Sequence, residues 1–81
     1  MLTIEKKLNI APAYDLSRLA PLERIVFFDI ETTGLSAAKA GLYLIGAVYW
    51  EQGSWRLCQW FADSLWDEEE MLSAFFGLLS R

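Results

Sequence analysis

The sequence predicts a small α/β domain in which three antiparallel strands are followed by one helix. An unbroken apolar run that leads into two acidic residues indicates a first strand at residues 24–31. Two further strand-like segments, at 42–50 and 54–61, are separated by a short segment with a glycine, which is typical of a hairpin turn. From residue 65 onwards apolar residues recur every three or four positions, which indicates an amphipathic helix.

The composition is unusually apolar for a chain of this length. Of its 81 residues 54% are hydrophobic, and four of them are tryptophans. A small domain cannot easily enclose so much apolar material, so two explanations stand side by side. The chain is an excerpt from a larger domain, or it covers its apolar faces by pairing with another copy or a partner. We expect an excerpt first, with self-association to a dimer or higher oligomer as its consequence.

Residues 1–23 are expected to form an N-terminal arm or linker, and residues 24–81 the domain itself. Pro12 and Pro21 interrupt any regular pattern in the arm. Scattered apolar residues favour an arm that lies over the domain, with a short helical turn at about 15–19. The alternative is a disordered linker, because chain termini are often loose.

The first strand carries the residues of greatest chemical interest. Its apolar residues follow one another at 25–28 without alternation, which is typical of a strand covered on both faces in the middle of an α/β sheet. Because side chains alternate along a strand, Asp29 and Glu31 should point to the same face. Two such carboxylates can share divalent cations, which in a two-metal site clamp the oxygens of a phosphate. The alternative is a strand that emerges into water, where acids are simply solvated.

The segment from Phe28 to Leu35 reads Phe-Asp-Ile-Glu-Thr-Thr-Gly-Leu. It resembles the first sequence motif of the DEDD (DnaQ-like) exonucleases, which have a ribonuclease-H-like fold. The resemblance extends more loosely to about Leu79. It implies that Asp29 bridges two metal ions, Mg²⁺ or Mn²⁺, and that Glu31 binds one of them and helps to hold the attacking water.

The same resemblance assigns a role to the turn after the two acids. It implies that this turn lies against the terminal nucleotide of DNA or RNA, and the residues concerned are Thr32, Thr33, Gly34 and Leu35. It also implies that the second strand lies beside the first, which would bring Gly46 near Asp29. Without the resemblance, the same residues describe an ordinary turn.

The family pattern has two later aspartates, and often a histidine or tyrosine general base. The sequence has no histidine and ends before either later motif is expected. We therefore expect a ribonuclease-H-like fragment that lacks the later strands and helices, binds metal weakly and has little or no activity alone. The complete protein would be a 3′–5′ exonuclease. The alternatives are a non-catalytic binding or assembly module, and a processing domain of a larger polymerase or helicase.

Aromatic and acidic residues outside the motif have simpler interpretations. Three tryptophans in the second and third strands are expected to pack on the sheet, although they could instead stack on bases: Trp50, Trp55 and Trp60. The helix is predicted at 65–79, with Ser64 or Asp63 as its cap. Acids at 67–70 then complement the helix dipole on a solvated face, an interpretation preferred over a second metal site.

Charge and cysteine content restrict the function classes further. A net charge of −4 disfavours broad electrostatic binding of nucleic acid, although it leaves a metal-dependent nuclease open, since the cations reverse the local charge. Cys58 is the only cysteine, which excludes an internal disulfide and predicts a small buried hydrophobe. No apolar run approaches the ~20 residues of a membrane span, and charges at 5–7 interrupt any signal peptide. We expect a cytoplasmic protein without a membrane partner.

Overall fold

The computed structural model describes residues 1–33 and 41–81, and within these ranges the chain forms four strands and one α-helix. The strands are β1 (Leu2–Leu8), β2 (Val26–Thr33), β3 (Gly41–Glu51) and β4 (Ser54–Phe61), and the helix is α1 (Glu68–Leu79). Short 3₁₀ turns lie at Leu16–Arg18, Leu22–Arg24 and Leu65–Asp67. None of the helices in the described ranges is long and apolar enough to cross a membrane.

The four strands form one antiparallel sheet in the order β1-β4-β3-β2. β3 and β4 are joined by a two-residue turn, in which Gln52 and Gly53 have φ angles of 51° and 80°. Positive φ at both central residues suits the twist of a tight hairpin, and glycine adopts it without strain. The predicted α/β class, with antiparallel strands followed by a helix, is confirmed.

The N-terminal segment adds a strand that the sequence did not predict. β1 pairs with β4 along its whole length, from Leu2 opposite Phe61 to Leu8 opposite Trp55. The charged residues at 5–7 interrupt the alternation of apolar and polar residues by which a strand is recognised. Charged residues are nevertheless typical of a strand at the edge of a sheet. The helical turn expected near residue 15 is present, and Asp15 Oδ1 accepts a hydrogen bond of 3.1 Å from the N–H of Ser17.

β2 lies at the opposite edge, although its apolar run had suggested a central strand. β3 flanks one side of β2, and no other strand in residues 1–33 and 41–81 flanks the second side. Phe27 and Phe28 are both about half exposed. A run of apolar residues indicates that both faces of a strand are apolar, but it does not indicate how many strands pair with that strand.

One face of the sheet carries the core. We call it the helix face, because α1 packs on it, and we call the other side the open face. β3 contributes alternate residues, and the buried cluster consists of Ile45, Ala47, Tyr49, Cys58, Trp60, Met71, Phe75 and Leu78. Apolar residues recur at every second position in the strands and at every third or fourth position in the helix. These residues therefore pack together in a single apolar layer. The predicted burial of Cys58 is confirmed.

The three tryptophans of β3 and β4 pack on the sheet, as the sequence analysis preferred. Trp55 is buried on the open face, where its ring lies 5.3 Å from that of Trp50 and 6.2 Å from that of Phe27. Trp60 is buried on the helix face, with its ring 6.2 Å from that of Phe75. Edge-on and tilted pairs at these separations are favourable arrangements of aromatic rings.

The start of the helix is held differently from the prediction. Ser64 precedes a 3₁₀ turn and makes no side-chain cap. Instead the carboxylate of Asp67 accepts a hydrogen bond of 2.8 Å from the N–H of Asp63 and lies 3.2 Å from the amino group of Met1. The N–H of Asp63 and, after it, this amino group lower the pKa of Asp67.

Candidate metal centre

Asp29 and Glu31 lie near the end of β2, where the strand alternation places both on the open face. Asp29 is opposite Gly46 of β3, and Glu31 is opposite Leu44. Residues two positions apart on a strand share a face, and both acids are exposed to solvent. The helix and the core lie on the other side of the sheet. The two carboxylates therefore border the same open surface.

The backbone helps to orient the first of these acids. Asp29 Oδ1 accepts a hydrogen bond of 3.0 Å from the N–H of Ile30. The side chain of Asp29 is thereby held close to the strand.

The pairing of β2 with β3 is irregular immediately after Glu31. Glu31 is opposite Leu44, but the next residue, Thr32, is opposite Leu42, so Tyr43 is an additional residue in β3. The carbonyl of Tyr43 accepts a hydrogen bond of 2.9 Å from the N–H of Ala62. Such bulges redirect side chains and are frequent beside active sites. The sequence hides this one, because the residues around Tyr43 are apolar without interruption.

A row of residues across the sheet creates a small gap next to Asp29. Gly46 lies opposite Asp29 on one side and opposite Gln59 of β4 on the other. Because Gly46 has no side chain, the space above it separates the side chains of Asp29 and Gln59. We call this space the Gly46 notch. The expected proximity of Gly46 to Asp29 is confirmed, whereas Gln59 was not anticipated from the sequence.

A family model described as the RNase H superfamily matches residues 26–81. The chain belongs to the RNase H superfamily. The matched range begins with the first residue of β2, so it contains Asp29, Glu31 and the three strands and helix around the site. No curated protein and no solved structure matches the chain.

The donors fit a divalent cation of the kind that the RNase H superfamily generally uses. Asp29 and Glu31 present carboxylate oxygens, the preferred ligands of Mg²⁺ and Mn²⁺. Within the part of the chain that the structure describes, no three His, Cys, Asp or Glu residues are close enough to form a metal cluster. The other ligands of a cation bound here would have to come from water or from a phosphate.

The four residues predicted to contact a nucleotide lie at the end of β2 or follow it in the sequence. Thr32 is exposed beside the bulge, and Thr33 ends the strand opposite Gly41. Gly34 and Leu35 lie outside the described residues. The role of these four residues in contacting a nucleotide stays a prediction.

The Gly46 notch leads to a test by substitution. A Cβ atom at Gly46 would meet only Gln59 Cγ, at 3.8 Å, which is an ordinary contact. Gly46→Ala should therefore raise the free energy of unfolding by about 0.5–1 kcal/mol, since glycine weakens a strand. Gly53→Ala should lower it by at least as much, because Gly53 has a φ angle of 80°. Urea unfolding followed by tryptophan fluorescence measures both, and a loss of stability in Gly46→Ala would contradict an open notch.

Proposed function

We propose that this chain takes part in metal-dependent hydrolysis of phosphodiesters in DNA or RNA, of the 3′–5′ exonuclease type found in DEDD (DnaQ-like) enzymes. The observation that carries the proposal is the pair of exposed carboxylates, Asp29 and Glu31, on one face of β2. They stand in the segment Phe-Asp-Ile-Glu-Thr-Thr-Gly-Leu and border a notch and a strand bulge. Membership of the RNase H superfamily supports the general class of reaction.

Each proposed site residue has a distinct task. Asp29, oriented by the N–H of Ile30, and Glu31 hold the cations, Mg²⁺ or Mn²⁺. When bound, such cations activate water and stabilise charge on a phosphate. Glu31 also orients the attacking water. The end of β2 and the residues that follow it contact the terminal nucleotide, through Thr32, Thr33, Gly34 and Leu35.

Because the site is negatively charged, binding of nucleic acid to it should depend on a bound cation. Asp29 and Glu31 repel a phosphate, and the chain carries a net charge of −4. A divalent cation between the carboxylates reverses the local charge and gives the phosphate an attractive partner. With two carboxylate ligands, binding of the cation should be weak, because Mg²⁺ requires near-octahedral coordination.

A titration with Mn²⁺ tests the site on the ¹⁵N-labelled chain. The paramagnetic ion broadens NMR signals near its binding site, and we expect the first losses at Asp29, Glu31 and Gly46. Asp29→Asn combined with Glu31→Gln should weaken binding at this site at least tenfold, since the carboxamides are neutral. Both substitutions retain the size of the original side chain, so the fold of the double variant should be unchanged.

The acids at the start of α1 supply the matched control. Glu69→Gln combined with Glu70→Gln also removes two exposed negative charges, and it should leave the broadening at Asp29 unchanged. Broadening centred on residues 67–70, or spread evenly over all surface acids, would contradict the proposed site.

A second candidate function is a non-catalytic binding or assembly module. It is favoured by exposed large apolar side chains that include Phe27, Phe28 and Phe76. The same titration separates the two functions, because an assembly module needs no cation at Asp29. Absence of selective broadening at Asp29 and Glu31 would therefore support the non-catalytic module.

A further inference from the structure

Gln59 is the polar side chain that faces Asp29 across the Gly46 notch. One row of the sheet runs from Ile4 in β1 through Gln59 in β4 and Gly46 in β3 to Asp29 in β2. Residues that are directly opposite one another on paired strands share a face of the sheet, so the whole row lies on the open face. Gln59 and Asp29 therefore border the same space from its two sides.

The side chain of Gln59 leans over Gly46, towards β2. A Cβ atom placed on Gly46 would lie 3.8 Å from Gln59 Cγ, which is the atom of Gln59 nearest to it. Two strand spacings put the backbones of Gln59 and Asp29 roughly 9.6 Å apart. The N–H of Ile30 holds the carboxylate of Asp29 close to its own strand. The carboxamide and the carboxylate can thus contact one small ligand from opposite sides.

The neighbours of Gln59 on the open face of β3 and β4 are apolar. Between residues 44 and 61 these positions carry Leu44, Gly46, Val48, Trp50, Trp55, Leu57 and Phe61. Gln59 is half-buried among them. A carboxamide in apolar surroundings gives up hydrogen bonds to water, and this is costly unless other hydrogen bonds replace them. A ligand in the notch would supply such a partner.

The chemistry of this row matches a phosphate that is held by a cation. A charged Asp29 can only accept hydrogen bonds, whereas Gln59 brings an NH₂ group with two donors. On the open face of the four described strands the basic side chain is that of Lys6, which lies in β1 at the edge opposite β2. A phosphate above Gly46 would thus meet the cation on the β2 side and the NH₂ group of Gln59 on the β4 side.

We propose that Gln59 contacts the substrate, and that its side-chain NH₂ group donates a hydrogen bond to an oxygen of the phosphate beside the cation held by Asp29 and Glu31. This role rests on the proposed function and adds to it a residue of β4. Because the carboxamide is neutral, Gln59 contributes a contact to the phosphate and leaves the charge of the cation site unchanged. Loss of the carboxamide should therefore weaken binding of the phosphate but not binding of the cation.

NMR of the ¹⁵N-labelled chain tests this contact directly. Gln52 and Gln59 are the only glutamines and Asn9 is the only asparagine, so few side-chain NH₂ signals have to be assigned. With thymidine 5′-monophosphate and Mg²⁺, the NH₂ signals of Gln59 should shift, while those of Gln52 in the hairpin turn should stay in place. The nucleotide in EDTA and thymidine with Mg²⁺ should both leave Gln59 unchanged, because the first lacks the cation and the second lacks the phosphate.

Gln59→Met removes the donors and retains the length of the side chain. It should weaken binding of thymidine 5′-monophosphate in Mg²⁺ about tenfold, the usual effect of losing a hydrogen bond to a charged group. It should leave the affinity of the site for Mn²⁺ unchanged. Ile4→Met is the matched control, because it introduces the same side chain in the same row but on the side of Gln59 that faces away from Asp29. It should change neither affinity.

The outcomes separate the role of Gln59 from the cation site. If Mn²⁺ causes no selective broadening at Asp29 and Glu31, the proposed function fails and the role of Gln59 fails with it. If Mn²⁺ binds there but the Gln59 signals do not shift with the nucleotide, or Gln59→Met binds the nucleotide as tightly as the original chain, the role of Gln59 alone is wrong. An equal shift with thymidine would also overturn this role, because the contact would then be to the nucleoside and not to the phosphate.

Discussion

Phe75→Ala is expected to lower the free energy of unfolding by about 3–5 kcal/mol, the usual cost of removing a phenylalanine from a packed core. Phe75 is exposed to only 4%. Its ring packs against that of Phe28 in β2 and that of Trp60 in β4. A domain of this size has little stability in reserve, so a large fraction of the variant should be unfolded at 25 °C. Urea unfolding followed by tryptophan fluorescence measures the loss.

The adjacent residue on the helix provides the control. Phe76 is exposed to 56%, so Phe76→Ala should cost less than about 1 kcal/mol. Both variants should be measured at the same concentration, a few micromolar. Equal losses in the two variants would mean that α1 is not packed through Phe75.

The second large effect is a loss of stability at alkaline pH. Burial of the Cys58 thiol raises its pKa from 9.0 to about 11, to which Glu5 contributes and which Arg81 opposes. Between these two values the unfolded chain releases the proton and the folded chain retains it, so stability is complete below pH 9 and falls as the pH rises towards 11. From pH 8 to pH 10 the loss should be about 1.3 kcal/mol. Tyr49, whose pKa is also raised by burial, acts in the same direction at higher pH.

Cys58→Ala separates the thiol from the other ionising groups. Its free energy of unfolding should change less between pH 8 and pH 10 than that of the original chain, because alanine does not ionise. Urea unfolding at each pH gives the comparison. The same pH dependence in both proteins would assign the alkaline loss to other groups, such as Tyr49. A folded Cys58 should also react with thiol reagents only as fast as the core opens.

The parts of the fold that depend on local pattern were predictable. The hairpin followed from the glycine-containing turn at 51–53, and the helix from the spacing of its apolar residues. The pairing of β1 with β4 was not, because it joins segments about fifty residues apart and no local pattern records it. For the same reason the position of β2 at the edge of the sheet was missed.

The candidate site shows the same division. The shared face of Asp29 and Glu31 follows from the alternation of a strand, which two positions are enough to establish. The alignment of Gln59, Gly46 and Asp29 in one row depends on the register of three strands, and a single sequence does not contain that information. The bulge at Tyr43 lies in an apolar run, where a shift of one residue leaves no trace in the pattern.

The additional residue in β3 also bears on how this site can change during evolution. The core positions of β3 begin at Ile45, beyond Tyr43, while the pairing of Thr32 and Thr33 lies on the other side of it. Deletion of one residue at the bulge would restore regular pairing and leave the alternation from Ile45 onwards intact. The length of the chain between the acids and the core can therefore drift by one residue without turning the core towards solvent. Changes in length can accumulate in this stretch while selection for a folded protein acts elsewhere.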